Sequence, residues 1–322
     1  MRCALVTGAA GFVGSAIVRE LGASGVEVRT TDRVPKTGTN LASYRAADLR
    51  QEDSIGPLVE GADAVIHAAG LAHVFRPDES TARLMHEANG IAAGNVARAA
   101  ARSGVRRVVL VSSVSVYGSP GAASVDETFP ARPSGAYAES KYEGERLALE
   151  AVRGTATALT ILRPATIYGP GDRGNVARLI GAVARGRFVW IGDGSNYKSL
   201  VYVDDFARAC VRAALQDTSG DVYNVSAAPE TMRSVVEAIA RALGRRIPRI
   251  GLPAGAARAA AAVAAASPIA RRRLRALGAS VRKWLSDDAY DGGKFVRRFG
   301  EFAAVPMTEG IRREVEWYGA RG

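Results

Sequence analysis

Short apolar runs alternate with longer stretches whose apolar residues recur three and four positions apart. Residues 4–7 form the first run; glycines interrupt it, and apolar residues at helical spacing follow up to Leu21. That order reads as strand, tight turn, helix. A second strand is expected at 26–31, ending at Asp32, and a short third at 44–49. A fourth, 64–70, closes on small residues, and a long helix is expected over 83–103. The fifth strand covers 105–112, a helix pattern follows Pro133, and the sixth strand covers 159–164. Strands joined by helical crossovers run parallel in one sheet, so the pattern predicts a doubly wound α/β fold. Ligands of such sheets collect at the carboxyl ends of the strands.

Beyond residue 164 the pattern loosens. A helix is expected from Asn175, which reads as its cap. A strand should run into a helix at 201–205, with a further strand at 220–226 and an amphipathic helix at 232–243. Residues 251–285, rich in alanine and arginine, read as helices over a smaller lobe, and the tail joins that lobe.

Composition narrows the classes. With 48% hydrophobic residues the chain can fill a core. The most apolar stretch, 254–266, is mostly alanine, contains Arg258 and falls short of the ~20 residues of a membrane span. Residues 1–3 lead straight into the first strand and leave no room for a signal peptide, so a cytoplasmic location is expected. Cys3 and Cys210 read as reduced core thiols, and the three histidines lack metal-ligand spacing, so no metal is expected. The net charge of +11 comes from a basic set that is 38 arginines in 43 residues. Without interleaved aromatics it does not suggest nucleic acid, while it suits phosphorylated small molecules. Arg271–Arg275 reads as a solvated helix face, with a peripheral membrane contact as the alternative.

The candidate chemistry sits at the strand ends. Gly8 suits a sharp turn, Gly11 admits a pyrophosphate close to the backbone, and Gly14 lets the helix approach the strand. The unpaired N–H groups of that helix favour an anion. Asp32 can accept from both ribose hydroxyls of an adenosine and repels a 2′-phosphate. Tyr137 and Lys141 are four apart on one helix face; an ammonium there lowers the phenol's pKa, so the tyrosine can exchange a proton with a substrate hydroxyl. His67, inside the fourth strand, reads as a packed core residue.

Thr7-Gly8-x-x-Gly11-x-x-Gly14, Asp32, Ser113-x-x-x-Tyr117-Gly118, Tyr137-x-x-x-Lys141 and Arg163-Pro164-x-x-x-Tyr168-Gly169-Pro170 together resemble the extended short-chain dehydrogenase/reductase family. The nearest group within it is the nucleotide-sugar, UDP-glucose 4-epimerase-like epimerases and dehydratases. The resemblance implies a Rossmann domain over 1–165, to which 198–220 returns, and a substrate lobe over 166–197 and 221–322. It implies Ser113, Tyr137 and Lys141 as the catalytic set. It implies NAD, in preference to NADP, held by Gly8, Gly11, Phe12, Val13, Gly14, Asp32, Arg33, Asp48, Leu49, Ala68, Ala69, Gly70, Asn89 and Pro164, together with Tyr137 and Lys141. Ser112 and Ser115 are the alternatives to Ser113; Asp48 could instead cap a helix, and Asn89 could be a plain helix-surface residue.

The implied activity is hydride transfer at C4 of a UDP-hexose, with Ser113, Thr166, Asn175 and Lys198 meeting the substrate. A 4-ketoreductase, or a dehydrogenase for a non-sugar alcohol of the 3β-hydroxysteroid type, are the alternatives. Thr166 stands where the UDP-galactose epimerases have asparagine, and Lys198 where many members have arginine. Dehydratases place an acidic pair after the serine; Val114 and Ser115 stand there, which argues against 4,6-dehydration. A homodimer is also implied.

Overall fold

The computed structural model describes residues 1–34, 44–72, 74, 77–119, 124–216, 220–248, 251–266, 281 and 284–320. Its first six strands are β1 (Cys3–Thr7), β2 (Glu27–Asp32), β3 (Tyr44–Ala46), β4 (Ala64–His67), β5 (Arg107–Val111) and β6 (Ala158–Pro164). Seven short ones follow among the described residues: β7 (Thr166–Tyr168), β8 (Trp190–Ile191), β9 (Tyr197–Lys198), β10 (Leu200–Tyr202), β11 (Val222–Val225), β12 (Glu230–Thr231) and β13 (Gly251–Leu252). Seven of these form one parallel sheet in the order β11-β6-β5-β4-β1-β2-β3. Every residue of β1 and β5 is buried, as expected for parallel strands covered on both faces. The strand order reverses between β1 and β4, which opens a crevice at their carboxyl ends.

Helices α1 (Phe12–Ala23), α2 (Gly56–Val59), α3 (Glu79–Met85), α4 (Ala92–Arg102) and α5 (Ala136–Val152) fill the crossovers. α6 (Asn175–Ala184) follows β7 and packs against the helix Met232–Ala242. α7 (Val203–Leu215) follows β10 directly and packs against α1, bringing the chain back onto the large domain. α8 (Met232–Ala242) packs with the helix Met307–Gly319. Phe188, Trp190 and Trp284 supply an aromatic cluster there, with the first two rings edge-on at 5.0 Å.

Three expectations are corrected. The third strand ends at Ala46, and Asp48-Leu49 enters a turn closed by the Gln51 N–H on the Asp48 carbonyl at 3.0 Å. The helix expected over 83–103 starts earlier, at Glu79, where Asp78 accepts from the Thr81 N–H at 2.8 Å. One π-helical turn, His86–Ile91, then separates α3 from α4. Finally, β11 is the edge strand of the large sheet beside β6, although its residues were assigned to the smaller lobe. The ring of Tyr223 on β11 packs against Phe295 and Phe299 of the helix Gly293–Phe299, an apolar anchor that periodicity over four residues does not reveal.

Of the alanine-rich stretch, residues 254–266 are helical, while Arg271–Arg275 lie outside the described residues. Among the described residues no helix is long and apolar enough to cross a membrane. Both cysteines are buried and unpaired.

Candidate active site

The loop between β1 and α1 is built by close backbone contact. Gly8 has φ +68°, and a Cβ there would stand 2.6 Å from the Ala69 backbone at the end of β4. A Cβ on Gly14 would stand 2.1 Å from the Gly8 carbonyl oxygen, so the helix meets its own turn directly. Gly11 is the N-cap of α1, and the first turn holds no acidic residue, which leaves its dipole free for an anion. Phe12 packs under Gly171 from the crossing to the small lobe, and Val13 is half-buried beside it in the first turn. These features fit a dinucleotide pyrophosphate: the glycines let β1, β4 and α1 close on one another, and the first-turn N–H groups of α1 face the turn without an acidic neighbour.

At the ribose end, Asp32 closes β2. Its carboxylate accepts the Ala10 N–H at 3.1 Å and the Arg33 N–H at 2.7 Å, which fixes it beside the turn. Arg33 is exposed. Arg50 grips Asp48 through Nε and Nη2 at 2.9, 3.0 and 2.6 Å and also reaches Glu87 at 2.9 Å. Those hydrogen bonds hold the Asp48 carboxyl below its usual range. Leu49 is buried in the core under it.

The reactive side chains converge where β4 and β5 end. Ser113 caps a 3₁₀ turn, Val114–Tyr117, its Oγ accepting the Ser115 N–H at 3.1 Å. Burial raises the Tyr137 phenol above its ordinary pKa, and the Ser113 hydroxyl nearby pulls it partly back down. Ser112 points the other way, donating to Glu145 at 2.5 Å, so Ser113 is the serine that faces Tyr137. Tyr137 and Lys141 stand in the first turns of α5, after Gly135, whose N–H is held by Glu139. Lys141 Nζ donates to the Val111 carbonyl at 2.8 Å, and a Cβ on Gly70 would lie 3.3 Å from it. Burial depresses this lysine to about 8, with Glu145 opposing. The expectation that Lys141 acidifies Tyr137 is therefore not met here. Burial dominates the phenol, and the ammonium is directed at the strand end.

Ala68, Ala69 and Gly70 line the end of β4, and the Ala69 N–H reaches the Thr7 hydroxyl. Asn89 lies on the π turn and is buried. Its amide binds Leu71 both ways, at 2.7 and 3.0 Å, and donates to the Ser140 hydroxyl at 2.9 Å, clamping this strand end to α5. A π turn is a recurrent way to re-aim one side chain toward a site. His67 is a core residue: Nδ1 meets the Thr7 hydroxyl at 2.7 Å, and burial together with Lys141 depresses it to about 3, so it stays neutral.

Toward the small lobe the sequence reading fares less well. Pro164 ends β6, buried, and Thr166 is half-buried on β7. Asn175 is exposed and is not a cap. Asp172 does that work instead, accepting the Gly174 and Ala177 N–H groups at 2.6 and 3.2 Å. Lys198 ion-pairs with Asp288 at 2.7 Å and donates to the Ser286 carbonyl at 2.8 Å, so the cation expected for a diphosphate is already neutralised. That partner is 90 positions away, and no local pattern announces it. Missed as well was the buried pair of Arg163 and Glu145, joined through two bonds at 2.9 and 2.6 Å. Lys141-x-x-x-Glu145, one turn apart, was the available signal. No cluster of metal-ligating side chains occurs among the described residues.

Residues 4–226 match the model of the NAD dependent epimerase/dehydratase family. The UDP-glucose 4-epimerase of Mycolicibacterium smegmatis is 36% identical over 264 residues, 74% of this chain and 82% of that protein. The N-acetyl-alpha-D-glucosaminyl-diphospho-ditrans,octacis-undecaprenol 4-epimerase of Escherichia coli O157:H7 is 28% identical over 319 residues, 97% of this chain and 94% of that one. Among solved structures, MoeE5 in complex with UDP-glucose and NAD superposes with a TM-score of 0.77 at 29% identity, covering 99% of both chains.

Proposed function

This chain belongs to the NAD dependent epimerase/dehydratase family, and from that premise we propose that it is a nucleotide-sugar 4-epimerase-like oxidoreductase acting at C4 of a UDP-hexose. The observation that carries this is the gathering of Ser113, Tyr137 and Lys141 at the strand ends next to the glycine turn, with Lys141 Nζ on the Val111 carbonyl. Bound NAD supplies a hydride acceptor that can also return the hydride. Tyr137 takes the proton of the C4 hydroxyl, and Ser113 donates to the same oxygen as it becomes a carbonyl. Lys141 and Asn89 hold the nicotinamide ribose side of the pocket. In epimerisation Tyr137 returns the proton once the sugar has presented its other face. Thr166 and Asn175 are the sugar-side contacts. Lys198 reaches a diphosphate only by exchanging Asp288 for it.

Support comes from relatives and neighbours whose names carry UDP-glucose and a 4-epimerase. A second reading, with the sugar diphosphate on a polyprenyl carrier, is favoured by the full-length relative from Escherichia coli and by the exposed Val189 and Leu252 on the small lobe. The test offers NAD with UDP-glucose, UDP-galactose, their N-acetyl forms and a polyprenyl-diphosphate sugar, and in a parallel set NADH with a UDP-4-keto sugar, and reads the C4 configuration by NMR. Interconversion without net NADH formation supports the epimerase; reduction of a 4-keto sugar with stoichiometric NADH consumption replaces it with the reductase. A homodimer fits the apolar stripe of Leu84, Ile91, Tyr142 and Leu149, all exposed on α3, the π turn and α5. Leu149→Asp should then yield monomers in light scattering.

A further inference from the structure

Glu145 is almost completely buried, one helical turn beyond Lys141. Arg163 from β6 binds both of its oxygens, and Ser112 from the end of β5 donates to one. Arg163 thus pairs with the carboxylate, while a second buried cation, Lys141, stands one helical turn away on α5. Such an arrangement is weak evidence for stability, because well-packed apolar residues usually do as well. None of Glu145, Arg163 and Ser112 touches the reacting atoms in the mechanism above.

Arg163 cannot easily leave the carboxylate. Its guanidinium lies 4.9 Å above the Tyr117 ring, and the Tyr117 hydroxyl donates to Asn224 on β11 at 2.8 Å. The carboxylate is therefore fixed from the sheet side, and its remaining field falls on Lys141, whose ammonium sits at the Val111 carbonyl.

We propose that Glu145, shared between Arg163 and Ser112 on the sheet side and Lys141 one helical turn away, is a positioning residue that keeps Lys141 charged where the cofactor's ribose is held. This rests on the functional reading above. The groups facing Lys141 are few. On α5 the charged neighbour is Glu145, with Tyr137 one turn before Lys141; β4 contributes His67, and Arg163 of β6 stands behind Glu145. The π turn contributes the neutral Asn89, and β5 the Val111 carbonyl. His67 stays neutral and Arg163 stays charged across neutral and alkaline pH. Tyr137, raised by burial, titrates above its usual range. Lys141 is the group of this cluster that changes charge near pH 8.

Arg163 and Lys141 compete for one anion, which gives the test opposite signs. Removing the anion lowers the Lys141 pKa, and removing its competitor raises it. The readout is the dissociation constant of NAD between pH 6.5 and 10, measured by calorimetry without any sugar. In the wild type, affinity should weaken as pH rises through the lysine's pKa. Glu145→Gln should move that inflection toward acid by about one pH unit or more, and Arg163→Met should move it toward alkali. Both variants leave a buried charge unpaired and will lower the melting temperature, so a purely structural role moves stability alone and leaves the inflection where it was. That result overturns the proposal. Where either variant fails to fold, Ser112→Ala removes only one donor from Glu145 and should give a smaller alkaline shift; no shift there overturns it equally. A wild type that binds no NAD at any pH overturns the functional reading itself, and this role with it.

Discussion

Gly8 and Ala69 meet backbone to backbone, so closely that a methyl group on Gly8 would stand 2.6 Å from both the Cα and the N of Ala69. This contact joins the end of β1 to the end of β4 across the crevice where the strand order reverses. Gly8→Ala must push the strand ends apart and also hold alanine at φ +68°, which costs roughly 1–2 kcal/mol for the dihedral alone. The expected outcome is a lower melting temperature and NAD affinity at least tenfold weaker, read by thermal unfolding and calorimetry. Unchanged affinity would separate the turn from the cofactor.

The choice of cofactor is proposed to rest on Asp32. Its carboxylate is pinned by the Ala10 and Arg33 N–H groups, whereas the Arg33 side chain is exposed. NAD should therefore bind more tightly than NADP, because a fixed carboxylate repels the 2′-phosphate. In Asp32→Ala the ratio of the two dissociation constants should move toward NADP by tenfold or more, with about 1 kcal/mol of stability lost as two N–H groups lose their acceptor. Tighter NADP binding by the wild type would show that Arg33 prevails.

The sequence was legible where chemistry is local. The glycine turn, Asp32 and Tyr137-x-x-x-Lys141 each depend on spacing within a turn or a single crossover. The alternation of apolar runs and helical periods is enough to order the large sheet's first six strands. What stayed hidden depends on partners far along the chain. Asp288 neutralises Lys198, Arg163 pairs with Glu145, and Phe295 and Phe299 make β11 a sheet strand. The π turn at Asn89 was hidden for another reason: one extra residue in a helix barely alters its apolar period.

Glu314 gives the fold a pH dependence of its own. It is fully buried on the helix Met307–Gly319, and its carboxylate accepts the Gly169 N–H at 2.9 Å where the chain crosses between lobes. Burial, and then the like charge of Asp172, raise it from 4.5 to about 8. A group with a raised folded pKa adds stability below its unfolded value and loses that contribution as pH climbs to the folded one. The wild type should therefore lose stability between about pH 5 and pH 8. Glu314→Gln keeps an acceptor for Gly169 without the charge and should flatten that slope, gaining on the order of 2–4 kcal/mol over wild type at pH 8 relative to pH 5. Denaturant titrations at both pH values measure it, and parallel slopes would rule the linkage out.

In the proposed mechanism Tyr137 carries the proton at a site bounded by Ser113 and Lys141. The most direct measurement is the turnover of Tyr137→Phe on whichever sugar diphosphate the wild type converts, with NAD binding measured on the same sample. The phenol's ring packing is retained and only its hydroxyl is lost, so the variant should fold and bind NAD as the wild type does. Its turnover should fall ~10²–10⁴-fold. Turnover within a fewfold of wild type, with cofactor bound, would contradict the assignment.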